Sequence, residues 1–97
     1  MPISTRARRV FAQGIANAAA ADKICDIADA GVTGTAVPAY ARKALAVAIG
    51  HANEAKIIAD CCTSGAAVPA NCRNALAIAI GNRGVANEIV TAINAIA

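Results

Sequence analysis

A repeat constrains a fold more than any single residue does, and this chain repeats itself. Val37 to Gly50 reads V-P-A-Y-A-R-K-A-L-A-V-A-I-G, and thirty-one positions on Val68 to Gly81 reads V-P-A-N-C-R-N-A-L-A-I-A-I-G. A more worn copy lies near the N-terminus. Arg8, Arg42 and Arg73 correspond; three residues later come Phe11, Leu45 and Leu76, then Ile15, Ile49 and Ile80. Carried on through Asp22, Asn53 and Asn87, then Asp29, Asp60 and Asn94, the first and third copies keep an offset of about 65. The middle copy then falls about three residues short between its isoleucine and its Asn. A deletion inside a packed helix would rotate every later side chain, so the shortfall is expected in a loop. A unit of about 31 to 34 residues is the size of a helical hairpin.

The side chains agree with helix. Of 97 residues 28 are alanine, the best helix former, and only 2% are aromatic. Ser4 or Thr5 can cap a first helix from near Arg6 to about Asn17, with Phe11 and Ile15 on one face and Gly14 weakening it. Asp22 is the expected cap of a second helix, which carries Ile24, Ile27 and Ala28 inward and stops at Gly31. Val32 to Val37 reads as a linker. Pro38 and Pro69 belong in the first turns of the third and fifth helices, which end near Gly50 and Gly81. Asn53 and Asn87 are the expected caps of the fourth and sixth helices. Ile57 and Ile58 are the expected buried face of the fourth, and Ile89, Ile93 and Ile96 that of the sixth; Thr63, Ser64 and Gly65 make a turn. The expectation is an all-α domain of three helical-hairpin repeats, about six short helices at approximately 5–30, 35–62 and 66–97, packed as a small bundle or short solenoid. The alternative is fewer, longer helices, with the second copy unbroken from Pro38 to Cys62.

Leu45-Ala-Val47-Ala-Ile49 alternates with a period of two, which invites a strand. The intervening residues are alanine, and each copy follows a helix-starting Pro, so helix is the better reading. On a helix Leu45 and Ile49 share a face and Val47 points roughly opposite, as Ile78 does to Leu76 and Ile80. The first copy has Gln13 at that position, as suits an end unit. Three hairpins closed into one core would be expected to bury Val47 and Ile78; an open row would leave at least one bare, for a partner to cover. The short, Ala-rich core favours the open row, so Val47 and Ile78 are candidate interface residues.

Ninety-seven residues make one domain, with a modest core. The net charge is +3, with Arg6, Arg8 and Arg9 clustered near the start. That arm offers a nucleic-acid reading, disfavoured by the mild charge and the scarcity of aromatics for stacking. No apolar run of about 18 residues exists to span a membrane, and no secretory h-region is legible. Cys25, Cys61, Cys62 and Cys72 form no C-x-x-C and read as free, packed thiols. His51 with Cys61, Cys62 and Cys72 could be drawn as a zinc site, but the spacing matches no zinc motif. No catalytic triad or paired-carboxylate spacing stands out, so neither catalysis nor a cofactor is expected. Arg8, Arg42 and Arg73 could form a basic interface stripe or pair with acids of the second helices, Asp29, Asp60, Glu54 and Glu88; the pairing reading is preferred.

The copies share the form R-x-x-[LF]-x-x-x-I, a short loop, then A-[ND]-[EK], at Arg8 to Lys23, Arg42 to Glu54 and Arg73 to Glu88. This resembles the small Ala-rich helical-repeat structural proteins of tailed bacteriophages, of capsid-decoration or head-fibre type. The resemblance implies a non-enzymatic virion component, assembled in the host cytoplasm, whose partners are itself or a capsid protein. It carries over no functional residue, because the pattern is structural. The alternative is a small nucleic-acid-binding or host-protein-binding adaptor.

Overall fold

A computed structural model of the chain describes residues 3–30, 36–64 and 67–94. Six helices follow in order: α1 (Thr5–Ile15), α2 (Ala18–Ala30), α3 (Ala39–Ile49), α4 (Ala52–Ser64), α5 (Ala70–Ile80) and α6 (Arg83–Asn94). They pair as three hairpins, α1 with α2, α3 with α4 and α5 with α6. The break between α3 and α4 is real: Gly50 stands at φ 76°, donating its N–H to the Ala46 carbonyl at 2.9 Å. A long unbroken helix through the second copy is thereby excluded.

The hairpins form a closed ring. The first helices α1, α3 and α5 all touch one another, as do the second helices α2, α4 and α6, so the domain has two three-helix layers. Helix α6 returns to pack on α1, which joins the third unit to the first. A solenoid would let each unit touch only its sequence neighbours. The extents, 27 × 26 × 25 Å, are those of a ball. Its radius of gyration is 11.2 Å, below the roughly 12.5 Å usual for this length, as expected where so many side chains are alanine.

The repeat is more regular than the sequence alignment suggests. The second-helix residues buried in α2 (Ala21, Ile24, Cys25, Ile27, Ala28) map onto Ala55, Ile58, Ala59, Cys61 and Cys62, then onto Ala86, Ile89, Val90, Ala92 and Ile93. These offsets equal those of the first helices, so the middle unit lacks nothing internally. The shortfall sits between units: eight residues separate α2 from α3 and five separate α4 from α5. The expected caps fall with that alignment. Asp22, Asn53 and Asn87 lie within helices; the residues before the helices are Asn17, His51 and Asn82. Asn17 Oδ1 accepts from Ala20 N–H and Asn82 Oδ1 from Val85 N–H, each at 3.0 Å. Thr63 and Ser64 belong to α4 rather than to a turn, and Pro38 and Pro69 stand one residue before their helices, at the N-cap. Ile58 is buried but Ile57, one residue round the helix, is 37% exposed. Ile89 and Ile93 are buried; Gly31, most of the Val32–Val37 linker, Gly65 and Ile96 lie outside the described residues.

Two close fits join the first unit to the third. A Cβ on Gly14 would come 2.8 Å from the Ile80 Cα, so α1 meets α5 backbone to backbone where glycine stands. That is why Gly14 is present, despite its cost to helix propensity. The other fit is polar. Ser4 caps α1 through its side chain, and its own N–H donates to Glu88 Oε2 at 2.7 Å. The equivalent residues, Pro38 and Pro69, have no N–H to satisfy. The bond thus ties the first unit to the third, where no chain link does so.

Candidate functional site

Arg8 and Arg42 are spent inside their own hairpins. Arg8 Nη2 meets Asp29 Oδ2 at 2.7 Å and its Nη1 meets Asp26 Oδ1 at 2.8 Å, with Asp22 at 3.9 Å. The Asp29 bond, then the Asp26 bond, raises the guanidinium pKa further. Arg42 Nη2 repeats the contact with Asp60 Oδ1 at 2.9 Å, and its Nε donates to the Val37 carbonyl at 3.2 Å. Asp60 is therefore the counterpart of Asp26, not of Asp29. At Arg73 the counterparts of Asp26 and Asp29 are Thr91 and Asn94, and Arg73 has no ion pair among the described residues. Two of the three arginines thus make the pairings with second-helix acids that the sequence favoured, Arg8 with Asp29 and Arg42 with Asp60.

Val47 and Ile78 behave otherwise. They are 78% and 80% exposed, although the ring is closed. The expected choice between a closed core that buries them and an open row that bares them was a false one. Each first helix gives one face to the core and keeps the opposite face outside. Val47 stands in the stripe Tyr40, Lys43, Val47, spaced i, i+3 and i+7. Tyr40 is 50% exposed and Lys43 is exposed. The end of α1 lies beside this stripe, making an open groove of about 540 Å³ lined by Ile15, Ala16, Asn17, Tyr40, Lys43 and Val47 among others. One unit on, Ile49, His51, Glu54, Asn71, Asn74 and Ile78 line the corresponding groove of about 360 Å³. The corresponding outer stripe of α1 carries Arg6, Arg9 and Gln13, all exposed. One skeleton thus presents three outer stripes of different chemistry. Tyr40 and Lys43 were not singled out from the sequence, though their spacing from Val47 would have placed them there.

The thiols are packing groups. All four cysteines are free and buried. Burial pushes Cys25 and Cys62 up to about 12 from the usual thiol value near 9, and raises Cys61 and Cys72 too. Thiols held neutral in this way are poor nucleophiles and ligands at neutral pH. The stability they carry is full below about pH 9 and is lost as pH rises towards 12, because the unfolded thiols ionise first. Glu88 moves the other way: the Ser4 N–H lowers its pKa. That small contribution is present above the ordinary carboxylate range and lost as pH falls through the lowered value.

His51 precedes α4, its Nδ1 3.6 Å from Glu54 Oε2. Among the described residues no group of three or more His, Cys, Asp or Glu is placed to hold a metal ion, and no helix is long and apolar enough to cross a membrane. Comparison of the chain with protein-family models, with curated proteins and with solved structures finds no match.

Proposed function

We propose that this chain is a non-enzymatic structural or assembly protein that docks on other protein through its first-helix layer. The observation that supports the reading best is the exposure of Val47 and Ile78 at equivalent places beside open grooves. Burying either side chain against a partner would gain about 1.5 to 3 kcal/mol. The resemblance of the repeats to phage virion proteins extends the proposal to a capsid-decoration or head-fibre component, located in the virion and bound to a capsid protein or to further copies. The nucleic-acid alternative loses support because Arg8, the middle of its three arginines, is held by Asp29 and Asp26.

The test replaces Val47 and Ile78 separately with Asp, then follows circular dichroism and co-sedimentation with shells of the phage that encodes the chain. The proposal expects helical signal intact and association weakened by at least one substitution. Undiminished association of both variants, or no association of the parent chain with itself or a shell, counts against it.

A further inference from the structure

The charges of the first-helix layer, and what each is bonded to, say what kind of partner fits it. The first helices α1, α3 and α5 carry Arg6, Arg8, Arg9, Arg42, Lys43 and Arg73 and no acid at all. All six acids of the chain lie on the second helices, and each has a nitrogen of the molecule within 4 Å. Asp22, Asp26 and Asp29 surround Arg8; Asp60 pairs with Arg42; Glu54 lies against His51; Glu88 accepts from Ser4. Arg6, Arg9 and Lys43 remain exposed around the outer stripes, with no carboxylate within 4 Å among the described residues.

Resting on the docking reading above, we infer that the groove beside Val47 takes an apolar side chain from an acidic segment of a different protein, with Lys43 meeting its carboxylate. A second copy of this chain is a poor occupant on two counts. Face to face, two first-helix layers would bring cations against cations with no acid between them, and like-charge juxtaposition opposes such a contact. Head to tail, most acids of the second-helix layer are already drawn to partners, Asp26 and Asp29 to Arg8, Asp60 to Arg42 and Glu88 to the Ser4 N–H, so Lys43 would compete for them, and only Asp22 and Glu54 are loosely held. Nucleic acid and anionic lipid would satisfy the cations. A duplex backbone, however, would leave Val47 and Ile78 without apolar contact, and a planar headgroup layer would not enter a groove of about 540 Å³. An apolar side chain flanked by carboxylates uses the groove, the apolar ridge and the charge together. The groove between the first and second units is preferred over its counterpart because Lys43 stands where the next unit has Asn74.

The test uses the full chain, isotope-labelled, titrated with a synthetic helical peptide of repeated E-L-L-E while amide shifts are recorded. A K-L-L-K peptide, a DNA duplex and phosphatidylserine vesicles serve as competing probes. The inference expects shifts at Ile15 to Asn17 and Tyr40 to Val47 with E-L-L-E. K43E should weaken that binding about tenfold. K56E, an equal change of net charge on an exposed α4 site, should change it less than about twofold. Equal response to K-L-L-K, equal effects of K43E and K56E, or tighter binding of DNA or vesicles at these amides would overturn it. Self-association through Val47 and Ile78 without an acidic partner would overturn the inference and leave the docking reading standing. No shift at these amides, together with V47D and I78D leaving every association unchanged, would remove both.

Discussion

The first and third hairpins have the same fold and reach it by different local balances. In the first, Asp29 does two jobs: Oδ1 accepts from the Ile3 N–H at 2.8 Å and Oδ2 holds Arg8 at 2.7 Å. In the third, Asn94 does one, its Oδ1 accepting from the Val68 N–H at 2.9 Å. An amide has one oxygen, and its other arm is a donor, so it has no second acceptor for Arg73. The turns differ in the opposite sense. Ala16 sits at φ 55°, where the third hairpin has Gly81 at φ 70°. A left-handed alanine is strained by about 1 kcal/mol and glycine is not. The shared element is therefore the backbone tie from the lead-in residue to the last turn of the second helix. The ion pairs and the relaxed turn are local additions, one to each hairpin.

If the core carries the fold, truncating it should cost most, and alike in both hairpins. Phe11→Ala is expected to cost about 3–5 kcal/mol and Leu76→Ala about 2–5, by urea denaturation. A difference much larger than about 2 kcal/mol would mean that the ring is not loaded evenly. Relief of the strained turn comes next. Ala16→Gly should stabilise by about 1 kcal/mol, offset slightly by the freer unfolded chain. Gly81→Ala, at the same place in the third hairpin, should destabilise by a similar amount. Opposite signs support the comparison; a loss in both would sink it.

How far the sequence carried the fold follows from the same alignment. The first helices are marked by an almost unchanged R-x-x-[LF]-x-x-x-I, and their equivalence is as read. The second helices repeat burial rather than identity. One site holds Cys25, Ala59 and Val90 and another Ala28, Cys62 and Ile93, all buried, so side chains of different size occupy equivalent places in the core. Aligning Asp22, Asn53 and Asn87 by chemical likeness slipped the middle unit by three residues. The Asn two places after Ile15 and Ile80 was the better anchor. Ring closure left no sign in the period, because the α6 to α1 contact and the Ser4 to Glu88 bond join opposite ends of the chain. The outer position of Val47 followed from the helical angle. The cations around it became distinguishable only once Arg8 and Arg42 were seen to be occupied.

The ion pairs supply the next contrast. Arg8→Ala should cost about 1 kcal/mol at low salt and less at high salt, since it leaves three aspartates facing one another at a partly exposed site. Arg73→Ala should change stability by less than about 0.5 kcal/mol. Equal losses would show that the Arg73 stem, not its charge, matters at this position, and that the same holds for Arg8.

The smallest effect tests the two-oxygen argument directly. Asn94→Asp would place a carboxylate where the first hairpin has Asp29, at the unit whose Arg73 guanidinium has no ion pair among the described residues. One oxygen can keep the Val68 N–H bond and the other is free to turn to Arg73. The charge also falls at the end of α6, where the helix dipole disfavours an anion by a few tenths of a kcal/mol. The pair, partly exposed, returns about 0.5 to 1 kcal/mol, so the net gain expected is about 0.5 kcal/mol at neutral pH. It should vanish in an Arg73→Ala background and fade as pH drops through the carboxylate range, since the charged form carries it. A gain that survives loss of Arg73 would mean that the aspartate acts on the Val68 N–H alone, and that the contrast between the hairpins lies in the strength of that tie.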